Sequence, residues 1–485
     1  MQNDSDMYSV KARFSNTRYG DDNKVFGVLN LDIKDQKDRP ANPQHFILSV
    51  DRSGSMATRE RDGMTKMDHV IHTISNMMRY FAYELETAKI FVSVITFDNK
   101  IERIIDKERV SKSNIKELVS IVEEVYPRDM TDIGAALTAA NMQKNGFPEN
   151  IEQTHILLTD GRPTYGATEM NGLKHMVDPT YRNIFIGYGI DHNMRLMKNL
   201  SDYDCGSYYF VESAENAGNV YGEILHNVLN EVMSNVVIGL DDAEIYDWKK
   251  NEWSKSLRIG SLSHGIEKVY HIRREPDQDD MENVLCVSLQ YAEGMADKRD
   301  LVPVTMEKFA SHFDAIKYIY RQKTLEFLFE TERYIESSGG GTDIDKLREN
   351  IANLMKLISD DMEADDALKD PTCRDYLFMQ NLRDDLHVAE KSILSRHGGL
   401  YLGARILSQG DQRAYNVKNL DAMDSAFPGW DATDGPLPPL GAIDRTCPAG
   451  NYQMSSADAS PYACTNQRYL MRQCSQDPTF PSDDE

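Results

Sequence analysis

Between residues 45 and 235, short apolar segments alternate with amphipathic segments, and this alternation constrains the fold more than any other feature of the chain. The apolar segments are rich in β-branched and aromatic residues on both faces, which is typical of strands in a parallel sheet covered by helices on each side. Helical periodicity is clearest in Met67–Ala88 and Ile133–Asn145. We therefore predict a doubly wound, Rossmann-like α/β domain over residues 45–235. Its predicted strands are His45–Val50, Ile90–Phe97, Thr154–Thr159 and Asn183–Tyr188.

The segments on either side of this domain have the short apolar runs and turns of strands and hairpins. Examples are Val25–Ile33 and Glu267–Ile272. We predict that residues 1–44 and 236–305 form one β-sandwich, into which the α/β domain is inserted.

The C-terminal half changes from helical to loop-like sequence. Residues 306–397 carry apolar residues three or four positions apart, for example from Leu347 to Met362, which predicts a helical domain. Gly339–Gly341 is predicted to be a hinge between two of its helices. Residues 398–485 are loop-rich, and we expect a tail with little core of its own.

Oxygen-bearing side chains cluster where the predicted strands of the α/β domain end. A D-x-S-x-S segment directly follows the first strand, a threonine precedes the helix that begins at Ile133, and an aspartate follows the third predicted strand. Because the carboxyl ends of parallel strands form the ligand site of doubly wound sheets, we expect these side chains to lie together. The residues are Asp51, Ser53, Ser55, Thr131 and Asp160. Asp132 either adds charge to this site or caps the helix.

These five positions, in this order and context, resemble the metal-ion-dependent adhesion site of von Willebrand factor A (VWA) domains. The resemblance implies that Asp51, Ser53, Ser55, Thr131 and Asp160 hold a divalent metal, Mg²⁺ or Mn²⁺. The donor set suits Mg²⁺, which prefers oxygen ligands and keeps several waters, and two carboxylates balance its two charges. An open position on such a metal would accept an Asp or Glu of a partner protein.

A wider and less specific resemblance links the chain to plant ubiquitin ligases of the wavy-growth type, which combine a RING finger with a VWA domain. It rests on residues 257–269, on the helical region 313–397 and on residues 403–414. The segment ahead of the VWA-like domain contains no cysteine, so we expect no RING and no ubiquitin transfer. The resemblance implies the partner-binding half of such a protein, used alone.

Charge and cysteine usage narrow the classes of partner and compartment. The chain has 54 Lys and Arg against 78 Asp and Glu, a net charge of −24, which argues against binding nucleic acid or an anionic membrane. No apolar run is long enough for membrane insertion. Six cysteines without a C-x-x-C pair and a polar N-terminus favour a cytoplasmic protein. Cys447, Cys464 and Cys474 are expected to be free thiols, although two of them could pair in an oxidising environment.

Three functions fit the motif to different degrees. The first is a non-enzymatic module that binds an acidic partner residue through the metal. The second is a structural component of a large assembly, such as a virion or another multi-protein shell, in which the metal only stiffens loops; the loop-rich tail favours it. The third, a metal-dependent hydrolase, lacks a recognisable base, because His45, His69 and His155 lie in or beside core elements and there is no P-loop, G-x-S-x-G or H-E-x-x-H motif. We predict that the protein is not an enzyme.

Overall fold

The computed structural model describes residues 7–19, 24–35, 43–60, 63–85, 87–144, 146–147, 151–203, 206–212, 216–276, 284–294, 296–337, 343–370, 372–393, 395, 397–417 and 460–475. The strands are β1 (Tyr8–Tyr19), β2 (Lys24–Ile33), β3 (Gln44–Asp51), β4 (Ile90–Phe97), β5 (Ile101–Arg109), β6 (Glu152–Thr159), β7 (Arg182–Tyr188), β8 (Gly206–Val211), β9 (Glu231–Leu240), β10 (Glu244–Asp247), β11 (Glu252–Ser254), β12 (Ser256–Ser263), β13 (Glu267–Arg274), β14 (Val284–Glu293) and β15 (Ala296–Lys308). The helices are α1 (Lys66–Glu84), α2 (Ile115–Glu123), α3 (Ile133–Gln143), α4 (Met170–Met176), α5 (Met194–Leu200), α6 (Ala217–Leu229), α7 (His312–Glu336), α8 (Ile344–Ala364), α9 (Arg374–Ser392), α10 (Gly398–Asp411) and α11 (Thr465–Ser475).

A six-stranded sheet forms the centre of the α/β part of the chain, in the order β5-β4-β3-β6-β7-β8. All neighbours are parallel except β5, which pairs antiparallel with β4 at the edge. Every residue of β3 is buried, because successive side chains pack against helices on opposite faces. Phe46 stacks on Phe81 of α1 at 5.0 Å, whereas Ile47 packs with Ala139 and Ala140 of α3. The predicted α/β fold is confirmed, and its strand order reverses direction between β3 and β6.

Strands from both sides of the α/β part share one nine-stranded sheet, in the order β11-β10-β13-β2-β1-β15-β14-β9-β12. The long strand β15 pairs with β14 along Ala296–Thr305 and with β1 along Met306–Lys308. A separate apolar core lies against this sheet, with Leu29, Ile238 and Val287 among its buried members. The segments before and after the α/β part of the chain therefore share one sheet. The two-layer β-sandwich stays a prediction.

The chain divides into two compact units. The first comprises Met1–Asp247, Glu252–Phe309 and Ala463–Glu485 and contains both sheets; the second comprises Trp248–Asn251 and Ala310–Tyr462 and contains α7 to α10. The periodicity predicted between Leu347 and Met362 is present in α8, whose apolar residues at this spacing are buried. The glycine hinge at 339–341 lies outside the described residues. No helix in the described ranges combines the length and apolar composition needed to cross a membrane.

The prediction that the chain becomes loop-rich from Gly398 is wrong for residues 398–411, which form helix α10. Its glycines resemble loop residues in the sequence but serve close packing in the structure. A Cβ on Gly410 would lie 2.0 Å from the ring of Trp248, and one on Gly398 would lie 2.1 Å from the carbonyl oxygen of Ser392. A composition rich in glycine therefore concealed a packed helix.

A second helix in the predicted tail, α11, packs on the α/β part of the first unit. A Cβ on Gly218 or Gly222 of α6 would lie 2.7 Å or 2.4 Å from the backbone of α11, so the two helices approach more closely than larger residues would allow. The Asn76 side chain of α1 also donates a hydrogen bond to the carbonyl of Cys474. Residues 465–475 are therefore part of the folded first unit, and Cys447 lies outside the described residues.

Two of the histidines assigned to the core are buried and hydrogen-bonded there. His155 Nε2 and Nδ1 contact Ser49 Oγ at 2.9 Å and Asn183 Oδ1 at 3.1 Å. His45 Nε2 contacts Ser93 Oγ at 2.9 Å. Burial lowers the pKa of both imidazoles to about 4, so both are neutral at pH 7. The structural interpretation of these two residues is confirmed.

We predict that the free energy of unfolding falls as the solution is acidified. Between pH 6.5 and 4 an unfolded histidine takes up a proton that folded His155 does not, so stability is present at neutral pH and lost as the pH falls. His155 should contribute about 2 kcal/mol to the difference in stability between about pH 7 and about pH 5. Urea unfolding of His155→Gln should show a correspondingly weaker pH dependence. The exposed His175→Gln is the matched control, and an unchanged dependence in His155→Gln would contradict the prediction.

Candidate metal centre

Asp51 is the last residue of β3 and is completely buried. Its carboxylate oxygens accept hydrogen bonds from the backbone N–H of Ser53 at 2.8 Å and from Thr159 Oγ1 at 2.5 Å. Burial raises the pKa of Asp51 to about 7, and the nearby charge of Asp160 contributes to the rise, against the hydrogen bonds that Asp51 accepts. This carboxyl is thus placed at high electrostatic cost, and a cation beside it would favour its ionised form.

Ser53, Ser55 and Asp160 form a short chain of contacts across the strand ends. The hydroxyls of Ser53 and Ser55 lie 3.0 Å apart, and Ser55 Oγ donates to Asp160 Oδ1 at 2.6 Å. Asp160 follows β6, the parallel neighbour of β3, and is completely buried. Ser55 is exposed, whereas Ser53 is buried. The buried Asp160 carboxyl therefore contacts a serine that is itself exposed.

Thr131 belongs to the loop that leads into α3. Its backbone N–H donates to Thr164 Oγ1 at 3.0 Å, and its carbonyl accepts the backbone N–H of Thr164 at 3.0 Å. The next residue, Asp132, is the N-cap of α3 and accepts from the backbone N–H of Ala135 at 2.9 Å. Of the two roles left open for Asp132, the structure shows the cap. Thr131 is fixed as a result on both sides.

The structure brings all three segments to one place. A Cβ on Gly161 would lie 3.5 Å from Thr131 Oγ1 and 3.9 Å from Ser55 Oγ, so both hydroxyls border the same small space. Within the described ranges, no three side chains of the His, Cys, Asp and Glu types converge in a way that could hold a metal. A metal here would need the serine and threonine hydroxyls in addition to Asp51 and Asp160.

Lys66, which no motif in the sequence marks, also reaches this cluster. It is the first residue of α1, it is buried, and its Nζ lies 2.9 Å from Asp160 Oδ2. A lysine in the first turn of a helix opposes the helix dipole. That unfavourable placement is the one sequence feature that could have indicated a nearby anion.

A network of two arginines and two carboxylates holds the loops around the site. Asp98 Oδ2 accepts from Arg52 Nε at 2.9 Å and from Arg128 Nε at 2.7 Å. Both arginines also pair with Glu102 of β5. Although burial opposes it, hydrogen bonds from Arg128 and from the Lys100 backbone keep the pKa of Asp98 below its usual value. The side chains of this network lie up to 76 residues apart in the sequence, from Arg52 to Arg128, so no local pattern indicates it.

Backbone contacts connect the same loops. The N–H of Gly54 donates to the carbonyl of Asp129 at 3.0 Å, and the N–H of Asp132 donates to the carbonyl of Asp98 at 2.9 Å. The D-x-S-x-S loop, the β4–β5 turn and the Thr131 loop are therefore tied together by backbone and side chains.

Cys464 and Cys474, two of the three C-terminal cysteines considered in the sequence, are free thiols in the structure.

Residues 46–223 match the family model of the von Willebrand factor type A domain, so this part of the chain is a VWA domain. The match covers less than half of the chain. VWA domains generally mediate protein–protein interactions, and some of them carry a metal site of this kind.

The chain is also similar to solved structures at low sequence identity. One, described as von Willebrand factor type A from Catenulispora acidiphila, covers 78% of this chain and 89% of its own length with a TM-score of 0.50 and 12% identity. The ArnB paralog VWA2 from Sulfolobus acidocaldarius covers 81% of this chain and 99% of its own, with a TM-score of 0.43 and 15% identity. The pilus adhesin SpaC from Lactobacillus rhamnosus GG covers 61% and 48%, with a TM-score of 0.34 and 14% identity. The first of these shows a shared fold.

We predict that Arg52→Met lowers the free energy of unfolding by about 3 kcal/mol, because it leaves the buried Asp98 carboxylate with one cation fewer. Chemical denaturation measures the loss. Arg109→Met, at the exposed end of β5, is the control and should change stability by less than about 0.5 kcal/mol. Equal small effects of the two substitutions would show that the network does not hold the loops.

Proposed function

We propose that the VWA domain binds Mg²⁺ or Mn²⁺ through Asp51, Ser53, Ser55, Thr131 and Asp160 and uses it to hold an Asp or Glu of a protein partner. The observation that carries the proposal is the convergence of these oxygen-bearing side chains from three loops at the point where the strand order reverses. Ligand sites of doubly wound sheets lie at such points. The function is binding, without catalysis.

The residues fit a hard divalent cation. Three neutral hydroxyls and two carboxylates are oxygen donors, and oxygen donors are the ligands that Mg²⁺ prefers. When bound, the metal would supply an electrophilic position that a carboxylate from outside can occupy. The side chains of this chain would supply the inner face, with Ser55 next to solvent. The buried carboxylates Asp51 and Asp160 would gain a compensating charge.

Exposed apolar side chains beside the site favour a presented metal over a purely structural one. Met130 directly precedes Thr131 and is 48% exposed, and Tyr165, whose backbone N–H donates to the Thr131 carbonyl, is 51% exposed. Tyr126 on the same loop as Met130 is 62% exposed. Aromatic and methionine side chains are enriched in protein interfaces. A partner residue that reaches the metal would therefore meet apolar contacts around it.

His192, whose pKa is influenced by the charge of Asp160, does not support an enzymatic function. His192 is buried, and its ring nitrogens contact the Gly189 carbonyl at 2.5 Å and Tyr208 Oη at 2.6 Å. Burial, more than any other cause, lowers its pKa to about 4. A neutral, fully engaged imidazole is a poor general base for a metal-bound water.

A supporting role is proposed for the nine-stranded sheet, which belongs to the same compact unit as the VWA domain. We infer that the nine-stranded sheet is the β-sandwich into which the VWA domain is inserted, and that the chain is a cytoplasmic partner-binding protein similar to the corresponding half of the plant ligases. The structural-assembly alternative rested on a loop-rich tail. Helices α10 and α11 fold onto this chain itself, which removes part of that support.

We predict that Mg²⁺ and Mn²⁺ raise the melting temperature of the protein, because a ligand of the folded state stabilises it by about 2.7 kcal/mol at 100 times its Kd. Asp51→Ala and Thr131→Val should abolish the shift. Thr138→Val, on the exposed face of α3, is the matched control and should keep it. Absence of a shift in the unmodified protein would refute metal binding.

We predict that immobilised protein retains a partner in Mg²⁺ and releases it in EDTA, and that Thr131→Val and Asp160→Ala retain none. Pull-down followed by mass spectrometry identifies the partner. Met130→Ser should weaken retention while the metal-induced thermal shift stays intact, because only the apolar contact is lost. Tyr83→Ser, exposed on α1, is the control.

Salt dependence separates local from long-range recognition in the same assay. A chain of net charge −24 repels an acidic partner at long range, so moderate salt should help retention. Retention that falls steeply with salt, or that survives both EDTA and Asp160→Ala, would contradict recognition of a carboxylate through the metal.

A further inference from the structure

Lys66 occupies a position fixed by the start of α1. Thr65 and Asp68 form a capping box, in which the Thr65 N–H donates to Asp68 Oδ2 at 2.8 Å and the Asp68 N–H donates to Thr65 Oγ1 at 3.1 Å. The Lys66 N–H donates to the carbonyl of Thr58 at 3.0 Å. The helix start thereby directs the lysine side chain inward, where only 6% of it is exposed.

The surroundings leave room for its ammonium group. Gly189 has a φ of +69°, and a Cβ there would lie 3.2 Å from Lys66 Nζ. A larger residue at this position would be strained and would press on the ammonium. The adjacent His192 ring is neutral at pH 7 because burial lowers its pKa to about 4, so it adds no repulsion.

The two site carboxylates are otherwise served by neutral donors. Asp51 accepts from Ser53 N and Thr159 Oγ1, and Asp160 Oδ1 accepts from Ser55 Oγ. Among the ion pairs of the described residues, Lys66 is the cation within 4 Å of either carboxylate. One ammonium therefore compensates a fully buried pair of acidic side chains whose negative charges oppose each other at the ends of adjacent strands.

We propose that Lys66 is a built-in counter-cation, which keeps the site folded without a metal and competes with the metal for Asp160. This inference rests on the proposed function, since it assumes that a divalent ion binds these residues. Lys66 reduces the net negative charge of the site by one unit. It pairs with Asp160 Oδ2, whereas Ser55 donates to Asp160 Oδ1. Metal binding then becomes weak and reversible, and the protein passes between a lysine-held state and a metal-held state.

Lys66→Met tests the proposal, because it keeps an unbranched apolar chain and removes the charge. In EDTA the variant should melt below the unmodified protein. Its Kd for Mn²⁺, measured by calorimetric titration, should be lower by roughly tenfold or more, because one repelling charge is gone from the site. Lys66→Arg keeps the charge and should bind Mn²⁺ far more weakly than Lys66→Met. Lys317→Met removes a buried, ion-paired lysine in the helical unit and should leave the Mn²⁺ affinity unchanged.

A double variant keeps the proposal testable if Lys66→Met folds poorly. Lys66→Met with Asp160→Asn removes both charges and should melt above Lys66→Met alone in EDTA. If it does not, the lysine is not a counter-cation.

The outcomes separate this proposal from metal binding itself. Mn²⁺ affinity that is equal or weaker in Lys66→Met, with clear binding to the unmodified protein, overturns the competition and leaves the metal function standing. Lack of Mn²⁺ binding by both proteins overturns the metal function and the competition together.

Discussion

Two buried carboxyl groups at the ends of neighbouring parallel strands determine which other groups this site requires. Asp51 and Asp160 are removed from water by a sheet whose strands are covered on both faces, and ionised groups in such a place need compensation. Serine and threonine hydroxyls, one lysine and a proposed divalent metal are the available sources. The proposed binding of a metal, and through it of an acidic partner, follows from the negative charge that the hydroxyls and the single lysine leave without full compensation.

The surrounding loops are held firmly enough to keep these groups in place. The Arg52–Asp98–Arg128 contacts and the backbone bond from Gly54 to Asp129 link the segment after β3 with the segment before α3. The cap at Asp132 begins α3 immediately behind Thr131. A site assembled in advance loses little entropy when a ligand binds, which suits reversible capture of a partner side chain.

Periodicity and motif spacing predicted much of the fold, and for a physical reason. Strands buried on both faces and amphipathic helices leave a local pattern, and residues at strand ends inherit their location from the topology. No such local pattern marks Lys66, Arg52 or Arg128. Their partners are distant in sequence, and the sequence around a buried charged residue does not differ from the sequence around an exposed one. Helix α10 was missed because its glycines serve packing against Trp248 and Ser392, and α11 because its burial comes from α6, more than 200 residues away.

Anomalous diffraction from crystals soaked in Mn²⁺ would show whether a metal binds here. We expect one strong peak bordered by Ser53, Ser55 and Thr131, with Asp51 and Asp160 behind it, and movement of the Lys66 ammonium away from Asp160. Absence of a peak at this place, with Lys66 still paired to Asp160 in saturating Mn²⁺, would contradict this expectation.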